Sequence, residues 1–501
     1  MYITETERIS QMIKSSSGMT LEETIMNEII NWQKSDTYEM IRTSERYMRN
    51  ENKIKSRKRQ YIDKDGVVHE EKNLANNTLA HNFLWKLINQ KTGYLISKPF
   101  SVSSDNEGFH KALNDAFDDN FRRNFKDVGE EAIEKAISWW LVHYDENGKF
   151  ALRKIPSEQI IPLWADEAHT KLDAVIRVYN FVKYVAKTKT IEMKVEYWDV
   201  NGTKYYVLKS GKLVPDMDRG AYSSHFSFVD ANGNELKLNW DKVPFVFFKY
   251  NKYEIPLLAF IKDHIDDYDR NKSDNSNNLQ DLPNFIYVLT NYDGQNLGEF
   301  RRNLAAFRAV KVVDDGTGRG GVATLSAPVE TDAVKTHIDI ARRDIFEFGR
   351  GVDTTSEKFT SPNTITIKSL YADLDTDCNN MEIEFKSSYQ DLFWFLKCHF
   401  YNIGLGDFFD AKANITFNRD IITVESEAIK SCQDSMGILS EETVIENHPW
   451  ITDAKAEMER KKKEQEDSEK FVTPPLTEYD PSMDPTDATL PEGDNGDPNE
   501  E

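Results

Sequence analysis

Four aspartates near the middle of the chain form its densest group of carboxylates: Asp263, Asp266, Asp267 and Asp269. Carboxylates grouped in this way can hold the two metal ions that nucleases use for phosphoryl transfer. Spacings of three and four residues also place side chains on one face of a helix, where aspartates form an ordinary solvated acidic surface. The spacing favours the acidic surface, and a metal-dependent nuclease that uses Asp263–Asp269 stays open as the alternative.

Glycine-rich segments that could cradle a phosphate are the next candidates. Gly148-Lys149 and Gly211-Lys212 both lack the upstream glycine and the following serine or threonine of a phosphate-binding loop. The run Gly316-x-Gly-x-Gly-Gly follows a predicted strand but leads into another strand, so it lacks the helix N-terminus that binds phosphate. The sequence therefore predicts neither a nucleotide site nor an ATPase.

Other patterns of catalytic and metal-binding residues are missing as well. The sequence contains no HExxH, no GxSxG and no EF-hand loop. Cys378, Cys398 and Cys432 are too widely spaced for a CxxC metal site or a disulfide framework. We therefore expect a protein that is not an enzyme, with no catalytic residue, no bound metal and no cofactor.

The 501 residues carry a formal net charge of -22, with 39% hydrophobic and 30% charged residues and a mean hydropathy of -0.63. This length accommodates several domains. Proteins that grip DNA are usually basic because they neutralise phosphates, so an acidic chain that meets DNA should do so without holding it. The sequence shows neither a stretch of about 18 apolar residues nor a signal peptide, so we expect a cytoplasmic protein without membrane contact.

Charge is distributed unevenly along the chain. A basic run lies near the N-terminus: Lys53, Lys55, Arg57, Lys58 and Arg59. Such a run can bind nucleic acid, but in this acidic chain we interpret it as a solvated or interface surface. No lysine or arginine follows Lys470, and the acidic residues 473–501 are too poor in apolar side chains to order themselves. We predict that this tail is disordered.

Helices and a β region must position these residues. Apolar spacing predicts N-terminal helices over 19–50, 79–95 and 125–143. The dipeptide Asp65-Gly66 predicts a hairpin turn. Between 150 and 250 the pattern changes to β-branched and aromatic runs separated by turns such as Asn201-Gly202, which predicts antiparallel strands. The fold class is therefore α+β.

The centre of the sequence predicts two helices around a small α/β segment. The first helix starts at Pro256, and the polar run 269–278 that continues it could be loop or exposed helix. The small segment has strands at 285–289, 309–313 and 322–325 and a helix at 297–307. The second helix covers 331–348 and ends at two glycines.

A polar loop over 352–364 separates the second helix from an uninterrupted helix over 365–403, about 58 Å long. A compact enzyme domain seldom needs a helix of this length. Beyond it we predict a short strand at 415–417 and helices at 424–436 and 440–468.

Two segments resemble the portal proteins of siphophages that infect Gram-positive bacteria. The first segment is Asn76-Asn77, His81, Lys86-Leu87 and the run Asn89-Gln90-Lys91-Thr92-Gly93-Tyr94-Leu95. The second is Tyr287-Val288-Leu289-Thr290-Asn291-Tyr292-Asp293-Gly294 followed by Glu299-Phe300. The order of elements is also similar, and the resemblance covers about residues 20–470. None of these motifs is a catalytic signature, so their specificity lies in the combination.

The resemblance implies the portal fold, which is α+β, mainly helical, and assembles into a ring, usually of twelve subunits. On this sequence its parts would be a flexible N-terminus (1–19), the wing (20–250), a stem helix (251–282), the clip (283–330), a second stem helix (331–351), the tunnel loop (352–364), a long wing helix (365–404), the crown (405–472) and the disordered acidic tail (473–501).

The resemblance also implies a function and a set of partners. The ring would form a channel at one capsid vertex through which DNA is packaged and ejected. The implied partners are further copies of the chain, the terminase large subunit, a head-tail connector or adaptor, the scaffold and major capsid proteins, and double-stranded DNA that passes without sequence specificity. The protein would be part of the virion and would be assembled in the host cytoplasm. Another structural virion protein is the remaining alternative.

Site residues follow from the portal fold by position. The tunnel loop would contact DNA through Asp353, Thr354, Ser356, Lys358, Thr360 and Asn363. The stem would face the channel with Asp263, Asp266 and Asp267, whose charge would repel phosphate and guide DNA without holding it. The clip would dock its partners through Arg301, Arg302, Arg308 and Arg319. The tunnel loop matches the family poorly in residues, so its role is carried over by position only.

Overall fold

The computed structural model describes residues 4–15, 18, 20–71, 74–185, 187–229, 233–281, 286–290, 321–325, 331–355, 364–419, 425–451 and 454–470. The chain divides into two compact units, residues 1–421 and 422–501. Within the described ranges, every helix is too short or too polar to span a membrane.

The described helices of the first unit are α1 (Glu5–Ser15), α2 (Leu21–Gln33), α3 (Asp36–Met48), α4 (Phe83–Ile96), α5 (Glu107–Ala116), α6 (Asp119–Lys135), α7 (Leu257–Asp281), α8 (Thr331–Phe348) and α9 (Thr364–Asn402). The second unit contains α10 (Glu425–Asp434), α11 (Glu441–Glu446) and α12 (Ala454–Lys470). Short 3-10 turns lie at Lys53–Ser56 and Ser157–Gln159.

The described strands are β1 (Gln60–Ile62), β2 (Val68–Glu70), β3 (Ser101–Ser104), β4 (Ile137–Tyr144), β5 (Phe150–Ile155), β6 (Ile160–Trp164), β7 (Leu172–Val185), β8 (Thr188–Asp199), β9 (Gly202–Lys209), β10 (Lys212–Pro215), β11 (Tyr222–Ser223), β12 (Phe226–Val229), β13 (Glu235–Leu238), β14 (Phe245–Lys249), β15 (Ile286–Thr290), β16 (Gly321–Leu325) and β17 (Ala413–Thr416).

Two antiparallel sheets form the β region. The larger has the order β10-β9-β8-β7-β6, with β11 also paired to β9, and the smaller has the order β14-β4-β5. The remaining pairs are β1-β2, β12-β13, β15-β16 and β17-β3. Hairpin connections between neighbouring strands account for most of this topology, as expected for an antiparallel region.

The main core lies where α9 crosses α6 and the β14-β4 pair. Phe125, Phe385 and Tyr389 are fully buried there. Phe125 packs edge to face against Phe385 and Tyr389, and Phe248 does the same against Trp140, Phe385 and Tyr389. Such aromatic contacts add to the stabilisation that comes from burying apolar area. The long helix α9 therefore contributes a large share of the main core.

Two smaller cores hold the sheets in place. Trp139 and Trp164 contact each other between the two sheets. On the other side of the larger sheet, α1 and α2 cover Ile176 and Val195 with Ile9, Ile25 and Ile29. Ile9 is only 1% exposed, so α1 packs on the sheet although the sequence predicted a flexible segment over 1–19.

The antiparallel β region and the long helix are confirmed, and two predicted helices need correction. The predicted helix 19–50 is two helices, because the hydroxyl of Ser35 accepts a hydrogen bond from the N–H of Tyr38 and caps α3. The predicted helix 125–143 ends at Lys135, and the residues that follow form β4, a strand that is largely buried. A continuous apolar run shows neither the period of a helix nor that of a strand, so periodicity cannot distinguish a buried strand from a helix.

The sequence left the polar run 269–278 open between loop and exposed helix, and in the structure it is helical and belongs to α7. Two further boundaries differ from the predictions. The predicted helix 440–468 is interrupted between α11 and α12, near Pro449. Strand β17 pairs with β3 of the first unit, so the boundary between the units falls at 421/422, inside the segment 405–472 that was predicted as the crown.

Candidate functional site: the stem helices and the root of the loop

Helix α7 holds an extended segment of the chain through its side chains. Asp269, Ser273 and Asn277 recur at every fourth residue and are fully buried. They accept hydrogen bonds from three alternate backbone N–H groups, those of His81, Leu79 and Asn77, at 3.0, 2.9 and 2.6 Å. Four residues of helix rise about 6 Å and two residues of extended chain about 6.8 Å, so the two periods match. We call this set of contacts the polar ladder.

Asp269 is the most heavily bonded member of the polar ladder. Besides the backbone of His81, it contacts Nδ1 of the same histidine at 2.8 Å and accepts a hydrogen bond from Asn52 Nδ2 at 2.6 Å. A buried carboxylate is stable only with partners of this kind. Asp269 therefore fastens two N-terminal segments to α7.

The three aspartates that were predicted to face the channel have different environments. The side chain of Asp263 is 98% exposed. Asp266 accepts hydrogen bonds from the hydroxyl of Tyr47 and from Lys262 Nζ, the latter at 2.8 Å. Burial and the contact with Asp266 raise the pKa of Tyr47. Asp263 is the most exposed of the three, and Lys262 Nζ lies 3.8 Å from its carboxylate.

Asp267 belongs to the contact between α7 and α8, the two helices that were predicted as the stem. Its carboxylate accepts a hydrogen bond from Arg270 at 2.5 Å and contacts Nε2 of His337, on α8, at 3.0 Å. Burial acts to raise the pKa of Asp267, but the hydrogen bonds from Arg270 and His337 lower it below its usual range. His337 also contacts the side-chain amide of Asn271 at 3.2 Å.

These partners do not assemble a metal site. Within the described ranges, no group of three or more His, Cys, Asp or Glu side chains is arranged to hold a metal ion. Asp266 and Asp269 instead use their oxygens for hydrogen bonds inside the chain. The arrangement supports a structural use of the aspartates.

Helices α7 and α8 pack through apolar residues next to these polar contacts. Ile261, Ile265 and Ile345 are fully buried, and the ring of His264 stacks on Phe348 with centroids 4.8 Å apart. Successive residues of a helix are about 100° apart, which puts the polar ladder and the contacts to α8 on opposite sides of α7. Asp263 lies in the exposed sector between them.

The polar loop after α8 starts from an anchored residue. Gln90, on α4, makes both backbone hydrogen bonds of Val352: its Nε2 donates to the carbonyl oxygen at 2.7 Å, and its Oε1 accepts from the N–H at 3.1 Å. Val352 is buried. The amide of Gln90 thus replaces a strand partner at the point where the loop begins.

A buried ion pair lies beside this anchor. Lys91 is fully buried, and its Nζ donates to Asp377, on α9, at 2.6 Å and to the carbonyl oxygen of Arg350 at 3.2 Å. The hydroxyl of Tyr250 donates to the same carboxylate at 2.5 Å. Burial and the neighbouring Asp377 raise the pKa of Tyr250 well above its usual value, so it remains a donor. Lys91 therefore connects α4, the end of α8 and the long helix.

Two glycines allow α4 to approach the end of α8 this closely. A Cβ on Gly351 would overlap the side chain of Leu87 and come within 2.9 Å of Gln90 Oε1. A Cβ on Gly349 would lie 2.7 Å from Leu87. Both glycines are therefore required by packing and not by a positive φ.

The first residues of the predicted tunnel loop are held by an arginine. Arg342, on α8, donates from two nitrogens to the two carboxylate oxygens of Asp353, both at 2.8 Å. Burial acts to raise the pKa of Asp353, but the bonds from Arg342 and Thr355 lower it to about 2. Thr354 is exposed. Of the two predicted loop residues that are described, Asp353 is thus used to fix the loop and Thr354 is free to face solvent.

The other predicted site residues lie outside the described residues. They are Ser356, Lys358, Thr360 and Asn363 of the predicted tunnel loop and Arg301, Arg302, Arg308 and Arg319 of the predicted clip. In the clip segment the structure describes β15 and β16, which pair antiparallel as Ile286 to Thr290 against Leu325 to Gly321. The roles of these eight residues stay predictions.

Three residues of the site were missed as individual contributors. Gln90 and Lys91 lie within the sequence run on which the resemblance rests. Nothing in the local sequence of α4 indicates which distant residues their side chains contact. Arg342 has Asp353 eleven residues ahead, beyond the helical spacings that predict ion pairs. Only the folded chain brings these groups together.

These features define a class of protein: a structural protein with an α/β body, two packed central helices, a segment anchored directly after the second of them and a long helix in the main core. The chain belongs to the phage portal protein family, described as phage portal protein, SPP1 Gp6-like, which matches residues 28–470. The resemblance, the portal fold and the function of a phage portal protein are thereby confirmed.

Curated relatives agree with this assignment. The chain is 28% identical over 470 residues to the portal protein of Bacillus phage SPP1, covering 91% of this chain and 90% of the relative. It is 27% identical over 391 residues to the portal protein of Clostridium phage phiCD119, covering 76% of this chain and 83% of the relative. Relatives of this kind are virion proteins, and the family is structural.

Similar solved structures come from gene transfer agent particles. A chain of the native virion matches with a TM-score of 0.37 and 11% identity, covering 72% of this chain and 86% of that one. A chain of the native neck matches with a TM-score of 0.34 and 12% identity over the same shares.

Proposed function

We propose that the chain is one subunit of a twelve-subunit ring, and that this ring lines a DNA channel at one vertex of the phage capsid. Family membership supports a portal function, and the stem supports this particular arrangement. Helix α7 is fastened on one side by the polar ladder and on the other by α8. Its remaining exposed sector carries Asp263. Repeated around a ring, this sector would present a ring of negative charge to passing DNA.

An acidic channel guides DNA because it repels phosphate at every position. Two unit charges about 4 Å apart interact by about 1 kcal/mol in water, and more where the dielectric is lower. DNA in such a channel meets no strong binding site and slides without sequence specificity. In this proposal Asp263 supplies the field, whereas Asp266 and Asp267 stabilise the stem.

The loop that starts at Val352 is proposed as the part that reaches DNA. Its root is fixed by Gln90 and by the pair of Arg342 and Asp353. Lys358, farther along the loop, is the cation proposed to touch the DNA backbone transiently.

The partners are proposed by position in the portal fold. The clip would dock the terminase large subunit during packaging and the head-tail connector afterwards, through Arg301, Arg302, Arg308 and Arg319. The body of the ring would meet the scaffold and the major capsid protein, and assembly would take place in the host cytoplasm. Reversing the four clip charges should impair docking and leave ring formation intact.

The test of the ring is its mass and its shape. Native mass measurement should give one closed oligomer, and images along its axis should show a bore wide enough for a DNA duplex. A stable monomer at high protein concentration would contradict the proposal. We also propose that the chain has no enzymatic activity of its own, so plasmid DNA should stay intact with divalent metal ions. Metal-dependent cleavage that is lost in Asp266→Asn would contradict this second proposal.

A further inference from the structure

The hairpin of β7 and β8 extends beyond the sheet that contains it. The two strands pair from Val175 with Trp198 as far as Val185 with Thr188. Strand β6 accompanies β7 only up to Arg177, and β9 accompanies β8 only from Lys194. Residues 180–185 and 187–193 are therefore a ribbon of two strands that has no neighbouring strand in the part of the chain that the structure describes. We call this ribbon the arm.

The arm exposes large apolar side chains. Val182 and Ile191 are paired across the strands and are 45% and 63% exposed, and Tyr184, on the same face, is 73% exposed. Phe181, on the opposite face, is 44% exposed. A two-stranded ribbon is marginally stable in water by itself, and a contiguous apolar patch usually marks a contact surface.

The charge of the arm is opposite to that of the whole protein. The arm contains three lysines, Lys183, Lys187 and Lys189, and one acidic residue, Glu192. Glu192 pairs with Lys183 at 2.5 Å. Lys187 and Lys189 have no acidic partner among the described residues, whereas the chain carries a net charge of -22. The arm therefore fits a partner that is acidic and apolar.

The same unit carries a groove with that character. A cavity of about 660 Å³, open to solvent, lies between α5, α6, the start of β5 and the end of α9. Its walls include Leu396 and the exposed side chains of Ile403 and Leu405, and its rim includes the carboxylates of Asp115 and Asp118. Lys149 and His399 also line it. The cavity can take several side chains the size of those on the arm.

Arm and groove are made by different residues, so one subunit can offer both at once. A cyclic ring requires this, because each subunit meets one neighbour through one surface and the other neighbour through a second, complementary surface. Opposite charge around an apolar contact sets the register of such an interface.

We infer that the arm of one subunit docks into the groove of a second copy of this chain. Tyr184 and Ile191 would enter the apolar part of the groove, and Lys189 would approach Asp115 at its rim. This inference rests on the proposed ring, since a monomer has no second copy to meet.

A disulfide between the two surfaces tests the inference. Cys398 is partly exposed and close to the groove, so the variants carry Cys398→Ser. In that background, rings of Tyr184→Cys/Ile403→Cys should form covalent ladders of two or more chains on oxidation. The matched control is Tyr184→Cys/Ile383→Cys: Ile383 is similarly exposed and lies on α9, about 30 Å from Ile403, which directly follows the end of that helix. The control should give at least tenfold less cross-linked chain.

The outcomes separate this inference from the proposed function. Rings that form but cross-link no more than the control would overturn the inference and leave the ring standing. A wild-type chain that forms no ring would overturn the proposed function itself. Cross-linking of Tyr184→Cys to a capsid protein in assembled heads would show a different occupant and also overturn the inference.

A charge swap supplies an independent measurement. Lys189→Glu should lower the fraction of chain found in rings several-fold at low salt, and Asp115→Lys should do the same. The double variant Lys189→Glu/Asp115→Lys should restore ring formation. Equal loss in the double variant would count against a direct contact, because two unrelated defects add and do not cancel.

Discussion

The side-chain amide of Gln90 makes both backbone hydrogen bonds of Val352, at 2.7 and 3.1 Å, and so fixes the residue at which the polar loop begins. A carboxylate of the same size can accept from the N–H of Val352 but cannot donate to its carbonyl oxygen. The relationship therefore depends on an amide and not merely on the shape of the side chain.

We expect Gln90→Glu to lower the free energy of unfolding by about 1–3 kcal/mol, because a buried carbonyl oxygen would lose its donor. Hydrogen exchange of residues 352–355 should also become faster. Gln390→Glu is the matched control, because Gln390 donates to the carbonyl oxygen of Ala413 at 3.1 Å, away from the loop. If both variants changed the exchange of residues 352–355 equally, Gln90 would not be its anchor.

The polar ladder leads to a prediction about how much the carboxylate of Asp269 contributes to stability. Asp269→Asn should destabilise the protein by about 1–3 kcal/mol, because the buried oxygens of Asp269 accept from His81 and Asn52. Asp263→Asn should change the unfolding free energy by less than about 0.5 kcal/mol, because its side chain is almost fully exposed. Denaturant unfolding of both variants checks the difference, and equal effects would contradict the ladder.

The close approach of α4 to the end of α8 makes a third prediction. Gly351→Ala should destabilise the protein by about 1–3 kcal/mol, since the new methyl group would overlap Leu87. Gly93→Ala is the control: it lies within α4 with no heavy atom within 4 Å of the added Cβ, so it should stabilise by about 0.5–1 kcal/mol. Thermal unfolding of the two variants should shift in opposite directions.

The sequence pattern within single elements was sufficient to predict part of the fold. The long helix was placed within one residue at each end, because thirty-nine residues without Gly or Pro keep an apolar stripe. The hairpin turn at Asn201-Gly202 was found from its dipeptide, and β8 and β9 pair directly across it. In both cases the signal lies within the element itself.

The rest depended on contacts between distant parts of the chain. The sequence left the polar residues 269–278 open between loop and helix. Their partners, the backbone N–H groups of 77–81, lie about 190 residues away in the sequence. The aspartates at 263–267 resembled one acidic face, yet Tyr47 contacts Asp266 and His337, on α8, contacts Asp267, about 100° farther around α7. Sequence spacing shows which residues share a face and does not show what covers that face.

A buried cluster of charged side chains around the end of α6 leads to a prediction about how stability depends on pH. Lys135 pairs with Glu158 at 2.7 Å, with Glu45 at 3.0 Å and with Glu131 at 3.5 Å. Glu134 lies next to this cluster, and burial raises its pKa from 4.5 to about 7, with Lys135 opposing and the neighbouring carboxylates adding to the shift.

A carboxyl with a raised pKa binds a proton more tightly in the folded state than in the unfolded state. Between pH 4.5 and about 7 the unfolded chain therefore loses this proton first, and stability falls as the pH rises through that window. Glu134→Gln stays neutral, so it should match the wild type near pH 4.5 and exceed its unfolding free energy by about 1–3 kcal/mol at pH 8. Glu130→Gln, half-buried on the same helix with Lys126 at 3.6 Å, is the matched control for replacing a carboxylate of α6 outside this cluster. Denaturant unfolding at the two pH values checks this, and a Glu134→Gln effect of equal size at both would show that Glu134 is not the titrating group.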